Sequence, residues 1–192
     1  ISWGCVKEIA GFSLLTCVQQ SVMNLGILLV QGLVNSFGAV VMAAFAAAVK
    51  IDAFAYMPVQ DFGNAFSTFI AQNYGAKKKE RIQEGLKGAV LVAGVFSIVV
   101  SGSVWVFARQ LMGLFINGGD PAVADIVEQG IAYLHIEGAF YIGIGCLFLL
   151  YGLYRALGKP GMSVVLTVIS LGTRVALAYA LSAVPAIGVV GI

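Results

Sequence analysis

The sequence predicts an all-α membrane protein, a polytopic bundle of five complete transmembrane helices followed by the start of a sixth. Of its 192 residues, 60% are hydrophobic and only 10% are charged, whereas about a quarter of the residues in soluble domains are charged. The longest uncharged segment covers residues 9–49. The 24 glycines and 4 prolines are typical of membrane helices that pack through small residues. These observations exclude a water-soluble globule.

The remaining composition excludes several classes of function. The net charge of +2 is too small to indicate a nucleic-acid partner. Cys5, Cys17 and Cys146 lie in or beside apolar segments, and their number and spacing fit neither a disulfide framework nor a metal site. No nucleophile elbow, zinc-protease motif or phosphate loop occurs, so the sequence predicts neither an enzyme nor a cofactor.

The first two helices share the uncharged segment 9–49. One helix of this length would extend about 60 Å at about 1.5 Å per residue, twice the bilayer core, so the chain must fold back. The polar turn at residues 35–38 is the natural break and gives a first span near residues 9–34. The second span begins near residue 39 and reaches about Tyr74, and we expect a kink or an unwound turn at Pro58.

The later helices follow from the same alternation of apolar segments and polar breaks. Basic residues at 77–87 predict a solvated loop or short surface helix, and a glycine-rich cluster at 117–121 predicts a turn. The spans between these breaks are residues 88–108, about 130–154 and about 161–183, and the apolar residues 187–192 predict the start of a sixth.

The distribution of basic residues predicts the orientation. Eight lysines and arginines fall at one set of helix ends, whereas only Arg109 falls at the other, beside Asp120, Asp125 and Glu128. The positive-inside rule places the first set in the cytoplasm. We therefore expect a multi-pass plasma-membrane protein, surrounded by membrane lipid, whose amino-terminal end is cytoplasmic.

Two predicted spans carry polar side chains at helical spacing. On the first span these amides recur at intervals of four and seven residues: Gln20, Asn24, Gln31 and Asn35. On the second span the polar positions include Asp52, Gln60, Asp61 and Asn64. Because such groups are costly against lipid, we expect them to line a substrate or ion pathway. Interhelical hydrogen bonding that only holds the bundle together is the alternative.

The charged residues within the spans differ in their expected roles. Counted from residue 39, Asp52 lies about 20 Å along the second helix and Asp61 about 33 Å. Asp52 is therefore expected in hydrocarbon, where it could exchange a proton or bind a cation, and a structural pairing with another helix is the alternative. Glu137 and Arg174, in the fourth and fifth spans, are expected to form a structural ion pair.

The second span also carries a recognisable signature. Segment 53–67 contains a proline followed by Gly-x-Ala, and segment 71–76 reads Ala-Gln-Asn-Tyr-Gly-Ala before the basic segment. Both resemble the repeated signature of the multidrug and toxic compound extrusion (MATE) family. The Gln-Gln-Ser at 19–21 and the Leu-Gly-Lys-Pro at 157–160 are similar to it as well. The resemblance covers residues 1–192 as a single lobe, the carboxyl-terminal half of a family member without its last helix.

This resemblance implies two six-helix lobes that face each other across a central cavity. The implied activity is secondary active efflux of organic cations, drugs or other amphipathic compounds by antiport with Na+ or H+. The implied partners are an amino-terminal lobe of the same chain and small drug-like substrates.

The resemblance leaves the coupling acid and the substrate open. Carboxylates that some family members carry in this half correspond here to Met23 and Ile144, so either Asp52 or Asp61 substitutes or the acid lies in the other lobe. The alternative function is a lipid-linked oligosaccharide flippase of the same superfamily. Such a cavity should hold several basic residues, whereas only Lys50 and Arg174 are intramembrane here.

Overall fold

The computed structural model describes residues 2–116 and 122–183, and every regular element in these residues is an α-helix. The helices are α1 Trp3–Asn35, α2 Ala39–Gly75, α3 Lys79–Phe115, α4 Val123–Ala139, α5 Tyr141–Ala156 and α6 Pro160–Ser182. Four of them are long and apolar enough to cross a membrane, and α4 with α5 makes up to five. The predicted helical membrane bundle is confirmed, whereas the start of a sixth span lies outside the described residues.

The first two helices meet at the predicted turn. Gly38 has a φ of 96°, a left-handed conformation that glycine adopts without steric cost. The chain therefore turns within residues 36–38, and α2 begins at the next residue. Of the kink or unwound turn expected at Pro58, the unwound turn is wrong, because α2 continues through this proline as one helix of 37 residues, and the kink stays a prediction. Pro58 lies on the exposed side of α2, where its ring needs no space in the core.

The basic segment is not a separate loop. Helix α3 begins at Lys79, and only residues 76–78 separate it from α2. Lysine, glutamate, arginine and glutamine are strong helix formers, and they dominate the first turns of α3. The predicted loop or short surface helix is therefore the solvated beginning of the third span, and we call this end of the bundle the basic end.

The predicted fourth span, about residues 130–154, is two helices. Its first part already begins at Val123, and α4 and α5 are bent by 52° at Phe140. The hydroxyl of Ser101 in α3 donates a hydrogen bond of 2.8 Å to the carbonyl oxygen of Gly138. A side chain that takes over a carbonyl of the helical ladder is a recognised cause of a break, and it explains why residues without a proline bend here.

Close backbone contacts between α2 and α5 form the centre of the bundle. A Cβ atom at Gly152 would lie 2.5 Å from the carbonyl oxygen of Gly63, and one at Gly63 would lie 3.0 Å from the carbonyl oxygen of Phe148. Helix α2 also packs against α3 and α4, whereas α1 packs mainly against α6. At that second contact, Leu171 occupies the space beside Gly26. Small residues thus set which helices approach closely.

The outer surface of the bundle is strongly apolar. Large side chains such as Trp3, Phe54 and Leu114 are 82%, 77% and 78% exposed. Monomeric soluble proteins rarely expose contiguous apolar surface of this kind. This surface is suited to contact with lipid, and only a minority of each helix faces the protein interior.

Candidate functional site

Asp52 lies on the inner face of α2. Its neighbours on that face include Ala48, Ile51 and Ala55, and Asp52 itself is only 7% exposed. At about 100° per residue, the separation of nine positions between Asp52 and Asp61 places them on opposite faces of α2. Asp61 is accordingly exposed. Of the two carboxylates in this helix, only Asp52 is enclosed by the bundle.

Three other helices contribute polar groups around Asp52. The hydroxyl of Tyr141, in α5, lies beside the Asp52 carboxyl, and Glu137 and Arg174 are close enough to interact with it electrostatically. Arg174 Nη2, in α6, lies 3.3 Å from Glu137 Oε2 and 3.3 Å from the Tyr133 hydroxyl. We call these five residues the inner polar cluster: Asp52, Tyr133, Glu137, Tyr141 and Arg174.

The charges of the inner polar cluster do not balance. It contains two carboxyl groups and one guanidinium, and the guanidinium is bound to Glu137 rather than to Asp52. Within the described residues, Asp52 Oδ1 and the Tyr141 hydroxyl are buried without a hydrogen-bond partner. An ionised carboxylate at this depth requires a compensating charge or donor. The cluster is therefore suited to take up a proton or a cation at Asp52.

The helix break at Phe140 positions two members of this cluster. Glu137 lies in the last turn of α4 and Tyr141 is the first residue of α5. Discontinuous helices commonly carry the binding groups of secondary transporters, because the break brings groups from both segments to the middle of the bundle. Without the break, α4 and α5 would continue in one direction past α2.

The sequence-based interpretation missed the tyrosines of the cluster. The sequence analysis gave no role to Tyr133 or Tyr141, whereas Tyr141 is only 4% exposed in the structure. Tyr133 packs edge-to-face on Phe45 and receives the hydrogen bond from Arg174. The spacing of Tyr133, Glu137 and Tyr141 at four-residue intervals indicates one helical face and was the available signal.

The amides of α1 lie on the surface of the lobe. Gln20, Asn24 and Asn35 are exposed and Gln31 is half-buried. The described residues offer these four side chains no hydrogen-bond partner. The buried face of α1 is instead formed by Gln19, Gly26, Val30 and Val34. The sequence predicted that these amides face protein or water. Any hydrogen-bond partners for them therefore come from outside the described lobe.

The polar residues in the second half of α2 are also away from Asp52. Gln60 is half-buried, whereas Asp61 and Asn64 are exposed. Asn64 Oδ1 accepts a hydrogen bond of 2.8 Å from Arg155 Nη2 of α5. The structure therefore does not unite the eight predicted pathway residues in one site, since it encloses Asp52 and leaves the others at or near the surface.

The comparisons with known proteins agree with this architecture. The MatE family model matches residues 16–180. The probable multidrug resistance protein YpnP of Bacillus subtilis (strain 168) is 31% identical over 153 residues, which are 80% of this chain and 33% of that protein. The probable multidrug resistance protein NorM of Thermotoga maritima is 21% identical over 171 residues, 89% of this chain and 36% of that protein.

A solved structure has the same fold. The crystal structure of MATE in complex with MaD5 superimposes with a TM-score of 0.85 at 20% identity, and the match covers 100% of this chain and 41% of that one. This chain spans about a third of the length of the curated relatives described above. The family match extends over most of the sequence and confirms the resemblance found in the second span. The chain belongs to the MatE family.

Proposed function

We propose that this chain forms one lobe of a secondary active transporter that exports drug-like organic cations or other amphipathic compounds by antiport with Na+ or H+. The two curated relatives carry names of probable multidrug resistance proteins. The solved relative contains more than twice the length that this chain matches, which supports a second lobe in the complete transporter.

The buried carboxyl of Asp52 is the observation that carries the ion-coupled part of the proposal. Asp52 is enclosed by α2, α4 and α5, and its Oδ1 has no partner among the described groups. A proton or Na+ bound there removes the excess negative charge of the inner polar cluster. It also weakens the attraction between Asp52 and Arg174. Arg174 Nη2 itself lies 3.3 Å from Glu137 Oε2. Ion binding can therefore favour one arrangement of α2 against α6 over another.

The exposed amides of α1 support the substrate part of the proposal. Gln20 and Asn24 offer donors and acceptors that no group within the described lobe uses, on a helix long enough to cross the membrane. Facing a second lobe, they would line a cavity with polar groups spaced along an apolar wall, which suits amphipathic compounds. One lobe supplies only one wall, so this chain alone is not expected to transport.

The oligosaccharide flippase is not favoured by the basic residues. The Lys50 ammonium lies 5.9 Å from the centroid of the Phe115 ring, and Arg174 is bound to Glu137 and Tyr133. Arg174 is therefore already paired, which leaves Lys50 alone where a pyrophosphate site should hold several basic residues, and the exposed polar face of α2 instead presents Asp61. Efflux of cations therefore fits the charges of this lobe better.

The orientation belongs to the same proposal. The basic end of the bundle lies in the cytoplasm of a cell with the transporter in its plasma membrane, as the positive-inside rule requires. Single cysteines introduced as Lys78→Cys and Asp125→Cys, in a background without the native Cys5, Cys17 and Cys146, test this in intact cells. A membrane-impermeant maleimide should label position 125 and spare position 78, and the reverse pattern would contradict the orientation.

Asp52→Asn, with Asp61→Asn as its matched control, tests the function in the complete two-lobe transporter. Both substitutions remove a carboxylate from α2, but only one removes it from the buried face. In proteoliposomes under an imposed Na+ or H+ gradient, Asp52→Asn should lose ion-driven efflux and still bind substrate, whereas Asp61→Asn should export normally. Normal export by Asp52→Asn together with loss of export in Asp61→Asn would show that the proposal assigns coupling to the wrong carboxylate.

A further inference from the structure

A small enclosed cavity lies between α2, α3 and α5. Its volume is about 10 Å³, and it is lined by Ala55, Tyr56, Val59, Ser97, Val100, Tyr141 and Ile144. This is about the space that one water molecule requires. Most of the wall is apolar, but three hydroxyl-bearing side chains, Tyr56, Ser97 and Tyr141, also border it. Of these hydroxyls, those of Ser97 and Tyr141 are buried without a partner among the described residues.

Three buried polar atoms have no partner among the described residues, two of them on side chains that line this cavity and the third on Asp52, which lies beside Tyr141. They are Ser97 Oγ, the Tyr141 hydroxyl and Asp52 Oδ1, from side chains that are 1%, 4% and 7% exposed. A buried polar atom without a hydrogen bond costs about 1–3 kcal/mol. Native proteins normally satisfy such groups with protein atoms or with ordered water.

Ser97 differs from other hydroxyl-bearing residues in these helices. Thr16, Ser103 and Thr173 each donate to the carbonyl oxygen four residues earlier in their own helix, at 2.7–3.0 Å. Ser97 has the same option within α3 but does not use it. Ser97 lines the cavity, and its hydroxyl needs a separate acceptor.

Gly145 keeps the space beside Ser97 open. A Cβ atom at Gly145 would lie 3.0 Å from Ser97 Oγ and 3.5 Å from Val59 Cγ1. By contrast, Gly143 in the same helix has no atom within 4 Å of such a Cβ. An alanine would therefore intrude on the Ser97 side of the cavity at position 145 and would meet open space at position 143.

We propose that this cavity holds one water molecule that bridges the hydroxyls of Ser97 and Tyr141 and thereby makes both positioning residues for Asp52. Ser97 donates to the water, the water donates to the Tyr141 oxygen, and Tyr141 donates to Asp52 Oδ1. The water thus partners Ser97 Oγ and the Tyr141 oxygen, and the Tyr141 proton, oriented by the water, becomes the partner of the Asp52 carboxyl beside which this hydroxyl lies. The water site stands on the cavity and its walls, whereas its effect on coupling rests on the proposed function of Asp52.

A high-resolution structure of the complete transporter tests the water site directly. A single peak is expected about 2.7–3.0 Å from both hydroxyl oxygens, the usual range for such bonds. The peak should be lost in Gly145→Ala and retained in the control Gly143→Ala. An empty cavity, a direct bond between the two hydroxyls, or a cation with several short oxygen contacts would each overturn the proposal.

Transport measurements test the link to Asp52 separately. Ser97→Ala and Tyr141→Phe each remove a hydroxyl from the series of hydrogen bonds that leads through the water to Asp52. A carboxylate that loses a hydrogen-bond donor holds a bound proton or cation more tightly. Half-maximal efflux should therefore require a several-fold lower concentration of the coupling ion, with substrate affinity unchanged. Ser103→Ala, which removes an exposed hydroxyl bonded within α3, should leave this concentration unchanged.

The two experiments fail independently. If Asp52→Asn retains ion-driven efflux, the proposed function of Asp52 is wrong, and the water peak still decides the water site. If Asp52→Asn abolishes efflux but Ser97→Ala and Tyr141→Phe leave the ion concentration at half-maximal efflux unchanged, Ser97 and Tyr141 do not position Asp52.

Discussion

The inner polar cluster and the amides of α1 are chemically similar groups in membrane helices, yet the fold treats them in opposite ways. In the cluster, Arg174 contacts Glu137 and Tyr133, and Asp52 is only 7% exposed. On α1, Gln20 and Asn24 are exposed. The difference shows that polar residues in the same lobe occupy two environments, one enclosed between its own helices and one left open on its surface.

The arrangement of the helices explains this difference. Helix α2 packs against α3, α4 and α5, so a polar group on its inner face meets polar groups from other helices. Helix α1 packs mainly against α6, with Gly26 at the close contact. The amides of α1 lie on other sides of the helix. A group on α1 therefore gains no partner from folding of the lobe alone.

Separating α2 from α5 should disturb the inner region most. Gly152→Ala places a Cβ about 2.5 Å from the carbonyl oxygen of Gly63, and because the obstacle is backbone, the helices must move apart. Overpacking of this kind costs about 1–3 kcal/mol. Thermal unfolding of the purified complete transporter should occur at a clearly lower temperature, whereas Gly143→Ala should match the wild type. Equal behaviour of the two variants would contradict backbone contact between α2 and α5.

Breaking the ion pair should have a smaller effect. Arg174 Nη2 and Glu137 Oε2 lie 3.3 Å apart, and polar contacts between membrane helices contribute about 0.6 kcal/mol on average and at most about 1.7 kcal/mol. A double-mutant cycle with Glu137→Gln and Arg174→Gln should show this coupling in the free energy of unfolding. A second cycle that combines Glu137→Gln with Arg109→Gln should be additive, and an equal coupling there would argue against a specific pair.

The hydrogen bond between α2 and α5 near the basic end should contribute less again. Asn64→Ala removes the acceptor that lies 2.8 Å from Arg155 Nη2, and an exposed bond of this type is worth about 0.5–1 kcal/mol. Asp61→Ala, three residues away on the exposed face, removes a group without a hydrogen bond to the described residues. A larger loss of unfolding free energy in Asp61→Ala than in Asn64→Ala would contradict this contact.

The amides of α1 should have the smallest effect on stability and a clear effect on transport. Replacing Gln20, Asn24, Gln31 and Asn35 together by leucine removes no side-chain bond within the described lobe. The unfolding temperature should therefore stay near that of the wild type, since surface changes usually alter stability by at most about 0.5 kcal/mol. Drug resistance conferred by the complete transporter should fall several-fold.

Wild-type resistance in this quadruple variant would remove the amides from the substrate pathway. Loss of membrane insertion or a strongly lowered unfolding temperature would instead show that they hold the lobe together. Ile27→Leu, an apolar change at an exposed position of α1, serves as the control and should leave both measurements unchanged.

The sequence alone determined the helical class, most of the spans and the family, because these depend on local properties. Apolar segments of membrane-spanning length, the turn at Gly38 and the signature after Pro58 are all contiguous in the chain. The contact between Glu137 and Arg174 was also predictable as an expectation, since unpaired charges in adjacent spans are costly. The expected position of Asp52 in the hydrocarbon came from counting along α2 and stays a prediction.

Only the tertiary structure decided which polar residues are enclosed and where the chain bends. The break at Phe140 depends on Ser101, a residue of another helix 37 positions away from Gly138, and no local pattern reports such a contact. The burial of Asp52 with Tyr141, and the space that Gly145 leaves beside Ser97, likewise depend on how α2, α3 and α5 pack. Helical periodicity specifies which residues share a face, but the neighbour of that face is set by long-range packing.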